Sequence, residues 1–144
     1  MTTATLVATT AAGLFAGAAV YVSSVEHPAR IECGQALAVK EFGPSYRRGA
    51  VMQGGLGAVG LLAGVVAWLQ GAGLGWLVGA ILLGALIPYT LVVIMPTNRR
   101  LLDPALDRGS GEARELLSRW GRLHALRTVV GVAVFVAFAG LSSR

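Results

Sequence analysis

The chain has 144 residues, of which 55% are hydrophobic and 13% charged, about half the charged share of a soluble domain. No charged side chain occurs from Gly49 to Pro96, a run too long for a soluble core to hide. The net charge of +5 does not imply nucleic acid, because the basic residues are gathered in two short loops and their flanks, and the lone Cys33 excludes an intramolecular disulfide or a cysteine metal cluster.

Thr2 to Val25 is a stretch of 24 residues without a charge. It lacks the basic start of a signal peptide and its apolar part is too long for one, so it reads as a retained first transmembrane helix, residues 3–25. Gly13 and Gly17 form a small-xxx-small pattern suited to close packing, which leaves a homo-oligomer open. In Glu26-His27-Pro28-Ala29-Arg30, Pro28 lacks a backbone donor and disfavours helix at His27, so a break or restart is expected there. Ala29 to Glu41 mixes charged and apolar residues and predicts a short interfacial helix, stopped by Gly43-Pro44. Tyr46-Arg47-Arg48 then makes a basic, aromatic anchor at the interface.

The second helix is expected over residues 48–70 and the third over 74–97, joined by the uncharged turn Gln70-Gly71-Ala72-Gly73. Pro88 leaves the Gly84 carbonyl without its usual partner, and Tyr89 and Thr90 are polar neighbours that could supply one or line a cavity. Asp103-Pro104 marks a loop, and Ser110 caps the fourth helix, residues 111–142, with Glu112 in its first turn. The expected fold is all-α: one integral membrane domain, an antiparallel four-helix bundle with a short interfacial helix after helix one. All 12 Lys and Arg except Arg127 and Arg144 lie in the first and third loops with their helix-end flanks, which predicts a multi-pass protein of the cell membrane with both termini non-cytoplasmic.

The uncharged tail from Thr128 to Ser142 is 15 residues long, short of the roughly 20 needed to span. The fourth helix must therefore draw Arg127, and with it His124, toward the bilayer. At 100° per residue, Trp120, His124 and Arg127 fall within about 60° of one another on one helix face. Ionisable residues at such depth usually face the bundle interior and have a task. Glu26, His27, Arg30 and Asn98 are expected at the same end of the bundle.

Three motifs in order, Glu26-His27-Pro28-Ala29-Arg30, Asn98-Arg99-Arg100-Leu101 and Trp120-x-x-x-His124-x-x-Arg127, resemble the anthrone oxygenase-like family of small four-helix membrane proteins. The resemblance covers nearly the whole chain. It implies oxidation of the central methylene of a polyketide anthrone to a quinone by dioxygen, without a metal or flavin. His124 has the ordinary pKa of a base near neutrality. Arg127 and Asn98 are candidates to stabilise the enolate oxygen, and Trp120 to stack on the fused rings. Glu26, His27 and Tyr89 complete the expected substrate site of a cofactor-independent monooxygenase, whose partners are the lipid bilayer, a small apolar aromatic substrate and dioxygen.

Other roles compete for the same residues. His124 could bond Asn98 or Glu26 and serve only packing, Arg127 could snorkel to lipid phosphates, and Glu26 could pair with Arg30 or with Arg127. His27 and His124 could ligate a haem or a metal ion, although His27 adjoins a proline. A non-catalytic accessory or scaffold protein is the third class. A transporter is disfavoured, since no internal repeat offers a basis for alternating access.

Overall fold

Helices α1 (Thr3–Glu32), α2 (Gln35–Leu69), α3 (Leu74–Leu101) and α4 (Gly111–Ser142) are each long and apolar enough to cross a membrane. They come from a computed structural model that describes residues 2–143, so Arg144, one of the two basic residues outside the loops, lies outside the described residues. No strand occurs among the described residues. Each start has a local cause. Thr2 caps α1 by accepting the Thr5 N–H at 3.2 Å and donating its own N–H to Thr5 Oγ1 at 2.9 Å. Ser110 caps α4 by accepting the Ala113 N–H at 3.1 Å. The tight reversals use Gly34 (φ 96°) between α1 and α2, and Gly71 (φ 85°) and Gly73 (φ 105°) between α2 and α3, where a Cβ would be strained.

Sequential helices pack side by side and α4 closes the ring on α1, giving an antiparallel four-helix membrane bundle. Small residues permit the close approaches. A Cβ at Gly64 would lie 2.8 Å from the Ala80 Cβ and 3.2 Å from the Trp76 carbonyl, so α2 and α3 meet nearly backbone to backbone. The notch at Gly131 holds the Phe15 ring, 2.8 Å from where a Cβ would stand. Gly13 of the small-xxx-small pair likewise receives the Phe135 ring, whereas Gly17 faces open space.

The expected interfacial helix is absent as a separate element. Ala29–Glu32 ends α1, and Gln35 opens a single helix that runs through Gly43-Pro44 to Leu69. Pro44 and Lys40 lie on the exposed face, where the carbonyl that Pro44 leaves unbonded can meet solvent. On the opposite face Ala38, Val39 and Phe42 are buried against Leu101, Leu106, Leu117 and Trp120, which keeps the helix continuous through the proline. At 35 residues α2 is about 52 Å long, well over the ~30 Å hydrocarbon layer, so its first turns stand clear of the bilayer.

Nor does Pro28 break α1. The turn before it, Val22–Glu26, widens to a π-helix in which the His27 N–H bonds the Val22 carbonyl. α3 repeats the device: Thr90–Ile94 is π-helical, the Met95 N–H bonds the Thr90 carbonyl, and Pro96 follows. Each widened turn precedes a proline whose missing N–H already removes one bond from the ladder. α3 continues to Leu101, beyond the expected end at 97.

Two apolar cores result. One, with Phe15, Leu83, Leu86, Trp76 and Phe138, fills the bundle toward the uncharged turn. The other, with Phe42, Ile94, Leu117 and Trp120, lies at the charged end.

Candidate functional site

Between the two cores lies a cavity of about 710 Å³ lined by all four helices. Phe15, Leu83 and Leu86 close it from the first core, and Ile94 and Trp120 from the second. Both π-helical turns reach its wall through Val22, Glu26, Thr90 and Leu91, consistent with the frequent use of such turns at functional sites. Gly49, Gly54 and Gly57 of α2 widen it, and a Cβ at Gly49 or Gly54 would meet nothing within 4 Å. Tyr21, Met52 and Leu91 line it and are more than half exposed, so it opens between helices at its side.

Trp120, His124 and Arg127 descend one face of α4 into this cavity. The Trp120 indole stacks on His124 (centroids 4.8 Å apart, planes at 23°) and meets Phe42 edge-on at 5.4 Å. His124 is 5% exposed and turns Nδ1 toward Ser23 Oγ at 3.1 Å, bonding neither Asn98 nor Glu26. Arg127 donates to Gln53 Oε1 at 2.9 Å and to Thr90 Oγ1, and its guanidinium lies 5.5 Å from the Phe15 ring centre. Its Nε has no partner, and no carboxylate pairs with it among the described residues. A guanidinium within a membrane segment is thus held by two neutral oxygens and faces a void.

Asn98 is 1% exposed and lines the same cavity, and neither end of its amide has a partner. It is eight residues along α3 from Thr90, which holds Arg127, and the π-helical turn Thr90–Ile94 occupies the first part of that interval. Glu26 reaches the cavity wall but is taken by Arg30 and Ser45, which settles its pairing in favour of the same helix. Arg30 is nearly buried, also pairs with Glu41 at 2.7 Å, and sits 5.5 Å from the Trp120 ring.

Two expected site residues stand outside the cavity lining. His27 packs behind Trp120 at 5.1 Å, over Gly121, where a Cβ would come within 2.7 Å of its Nε2. Tyr89 donates its hydroxyl to the Leu123 carbonyl at 3.0 Å and braces α3 on α4. Among the described residues no three His, Cys, Asp or Glu side chains gather as metal ligands.

Ser23, Gln53, Thr128, Glu41 and Ser45 were not singled out by the sequence. Gln53 carried a signal, as the one long polar side chain between Arg48 and Gln70 in an otherwise apolar helix. Ser23 and Thr128 carried none, because small hydroxyls are common in membrane helices and bond their own backbone.

A family model described as anthrone oxygenase matches residues 42–137. The anthrone oxygenase tpcL of Aspergillus fumigatus (strain ATCC MYA-4609 / CBS 101355 / FGSC A1100 / Af293) is 38% identical over 63 residues, 41% of this chain. The aligned part spans 38% of that relative's length. No solved structure matches the chain.

Proposed function

The chain belongs to the anthrone oxygenase family, and from that premise we propose that its cavity binds a flat, weakly acidic aromatic ketone of the anthrone type and oxidises the ring methylene with dioxygen. The observation that carries this reading is Arg127, a half-buried guanidinium with neutral partners only, facing a cavity whose wall is largely apolar around it. Such a cation complements an oxyanion that forms during reaction, in a setting where the contact is strongest.

His124 removes a methylene proton while Arg127, one helical turn deeper, receives the developing enolate oxygen. Residues three apart on a helix face are about 5–6 Å apart at Cβ, a span suited to groups on opposite edges of one six-membered ring. Trp120, expected to stack on the fused rings, is instead stacked on His124 and covered by Arg30, so it backs the base, and Asn98 bonds a polar substituent of the substrate. The enolate reduces dioxygen, a carbon–oxygen bond forms, and the peroxide oxygen takes the first proton back from His124 to give a hydroperoxide. His124, neutral again, takes the second proton from that carbon as the O–O bond breaks, and returns it to the leaving hydroxide, which departs as water. The balance is CH₂ + O₂ → C=O + H₂O, with the substrate as electron donor and no bound metal, haem or flavin in the scheme.

We place the protein in the cell membrane, with the basic end of the bundle, and thus the cavity, toward the cytoplasm and both termini outward. Substrate and oxygen both partition into lipid and reach the side opening from there. Membranes carrying the protein should convert a synthetic anthrone to the anthraquinone with one dioxygen consumed per product. His124→Ala should reduce the rate by about 10²-fold or more. Turnover no faster than in control membranes, across several anthrones, would remove the reading.

A further inference from the structure

The hydroxyls behind His124 form a chain whose direction can be worked out. Thr128 Oγ1 lies 3.1 Å from the Ala19 carbonyl oxygen and 2.7 Å from Ser23 Oγ, and Ser23 Oγ lies 3.1 Å from His124 Nδ1. Each hydroxyl has one proton to give and two lone pairs to accept with. The Ala19 carbonyl can only accept. If Thr128 donates to it, Thr128 must accept from Ser23, and Ser23, its proton used, must accept from Nδ1–H. Every contact is then a hydrogen bond. In the reverse direction Thr128 donates to Ser23 and Ser23 to Nδ1, so Thr128 Oγ1 faces the Ala19 oxygen with no proton between them. That arrangement wastes one bond and sets two lone pairs together in a half-buried place between the helices.

We propose that Ser23 and Thr128 hold the neutral His124 ring in its Nδ1–H tautomer, leaving the Nε2 lone pair for the cavity. They are positioning residues, acting through the imidazole. The π-helical turn Val22–Glu26 contains Ser23 and delivers its hydroxyl to α4. A base needs this tautomer, since an Nε2–H ring can only donate to the substrate. The consequence for turnover rests on the oxidation reading above; the state of the ring does not.

The test is nitrogen NMR of ¹⁵N-histidine-labelled protein in lipid nanodiscs, at a pH where the ring is neutral. The chain has two histidines, and a His27→Gln spectrum assigns them. His124 should show a protonated Nδ1 and a bare Nε2. Ser23→Ala should move the ring toward the Nε2–H form that free imidazole prefers, and Thr128→Val should do so more weakly. Thr128→Ser, which keeps the hydroxyl, should restore the native pattern. An Nε2–H ring in the unmodified protein overturns the proposal, as does an unchanged pattern in folded Ser23→Ala. On an anthrone, Ser23→Ala should lower kcat several-fold with KM little changed, less than the loss from His124→Ala. If the tautomer is as stated but His124→Ala turns over normally, the oxidation reading fails and the relay stands.

Discussion

Arg127 reaches across the bundle to Gln53, donating to its Oε1 at 2.9 Å although α4 and α2 stand on opposite corners of the helix ring. Both terminal nitrogens of the guanidinium are thus bonded inside the bundle, and Glu26 is committed to Arg30 rather than to Arg127.

Arg127→Lys tests the planar donor fork. The ammonium keeps the charge but cannot hold Gln53 and Thr90 and still offer a directed N–H to the cavity. Insertion and folding should be normal, while kcat with an anthrone falls by about 10–100-fold. A lysine variant with native kcat would show that charge alone suffices.

Gly54→Leu should fill the void without a clash, since a Cβ there meets nothing within 4 Å. Thermal stability in detergent should hold, while KM rises tenfold or more, about 1.4 kcal/mol of binding. Unaltered KM in the folded variant would mean that substrate does not enter this cavity.

Gly64→Ala should weaken the bundle itself. The added methyl meets Ala80 and the Trp76 carbonyl, and backbone cannot yield as a side chain can. Overpacking should cost about 1–3 kcal/mol, partly offset by the better helix propensity of alanine. The measure is the unfolding midpoint in detergent, and an unchanged or raised midpoint would contradict the close approach.

Arg30→Met should leave Glu26 and Glu41 facing each other without their shared cation. Both carboxylates keep some solvent, so the loss should be about 2–3 kcal/mol, below that of a fully buried pair. A melting temperature equal to that of the unmodified protein would deny the cluster a structural role.

Asp103, in the loop outside the bilayer, accepts the Ala105 N–H at 2.9 Å and pairs with Arg100 at 2.6 Å; the first and then the second hold its carboxyl below the ordinary value. A depressed folded-state pKa means that the contact stabilises the loop above the unfolded value of 3.8 and is lost as pH falls through the folded one. The Ala105 amide signal should titrate with a midpoint below 3.8 and stop responding in Asp103→Asn. A midpoint at or above 3.8 would deny the contact.

The four spans were legible in the sequence because the length of an apolar run and the placement of charge act locally, and the bilayer selects for both. The face shared by Trp120, His124 and Arg127 followed from helical periodicity alone, and it is the face turned to the cavity. The same local rules misread Gly43-Pro44 as a stop and Pro28 as a break. Proline weakens a helix, but whether the helix ends depends on burial of Phe42 and its neighbours and on a π-helical turn that rearranges the bonds ahead of Pro28. Partners across the bundle were beyond any periodicity: Gln53 for Arg127 and Ser23 for His124. These depend on how far each helix slides along its neighbour, which glycine contacts such as Gly64 on Ala80 and Gly131 on Phe15 set. A shift of one turn, about 5.4 Å, would give every polar group a different partner without altering one residue.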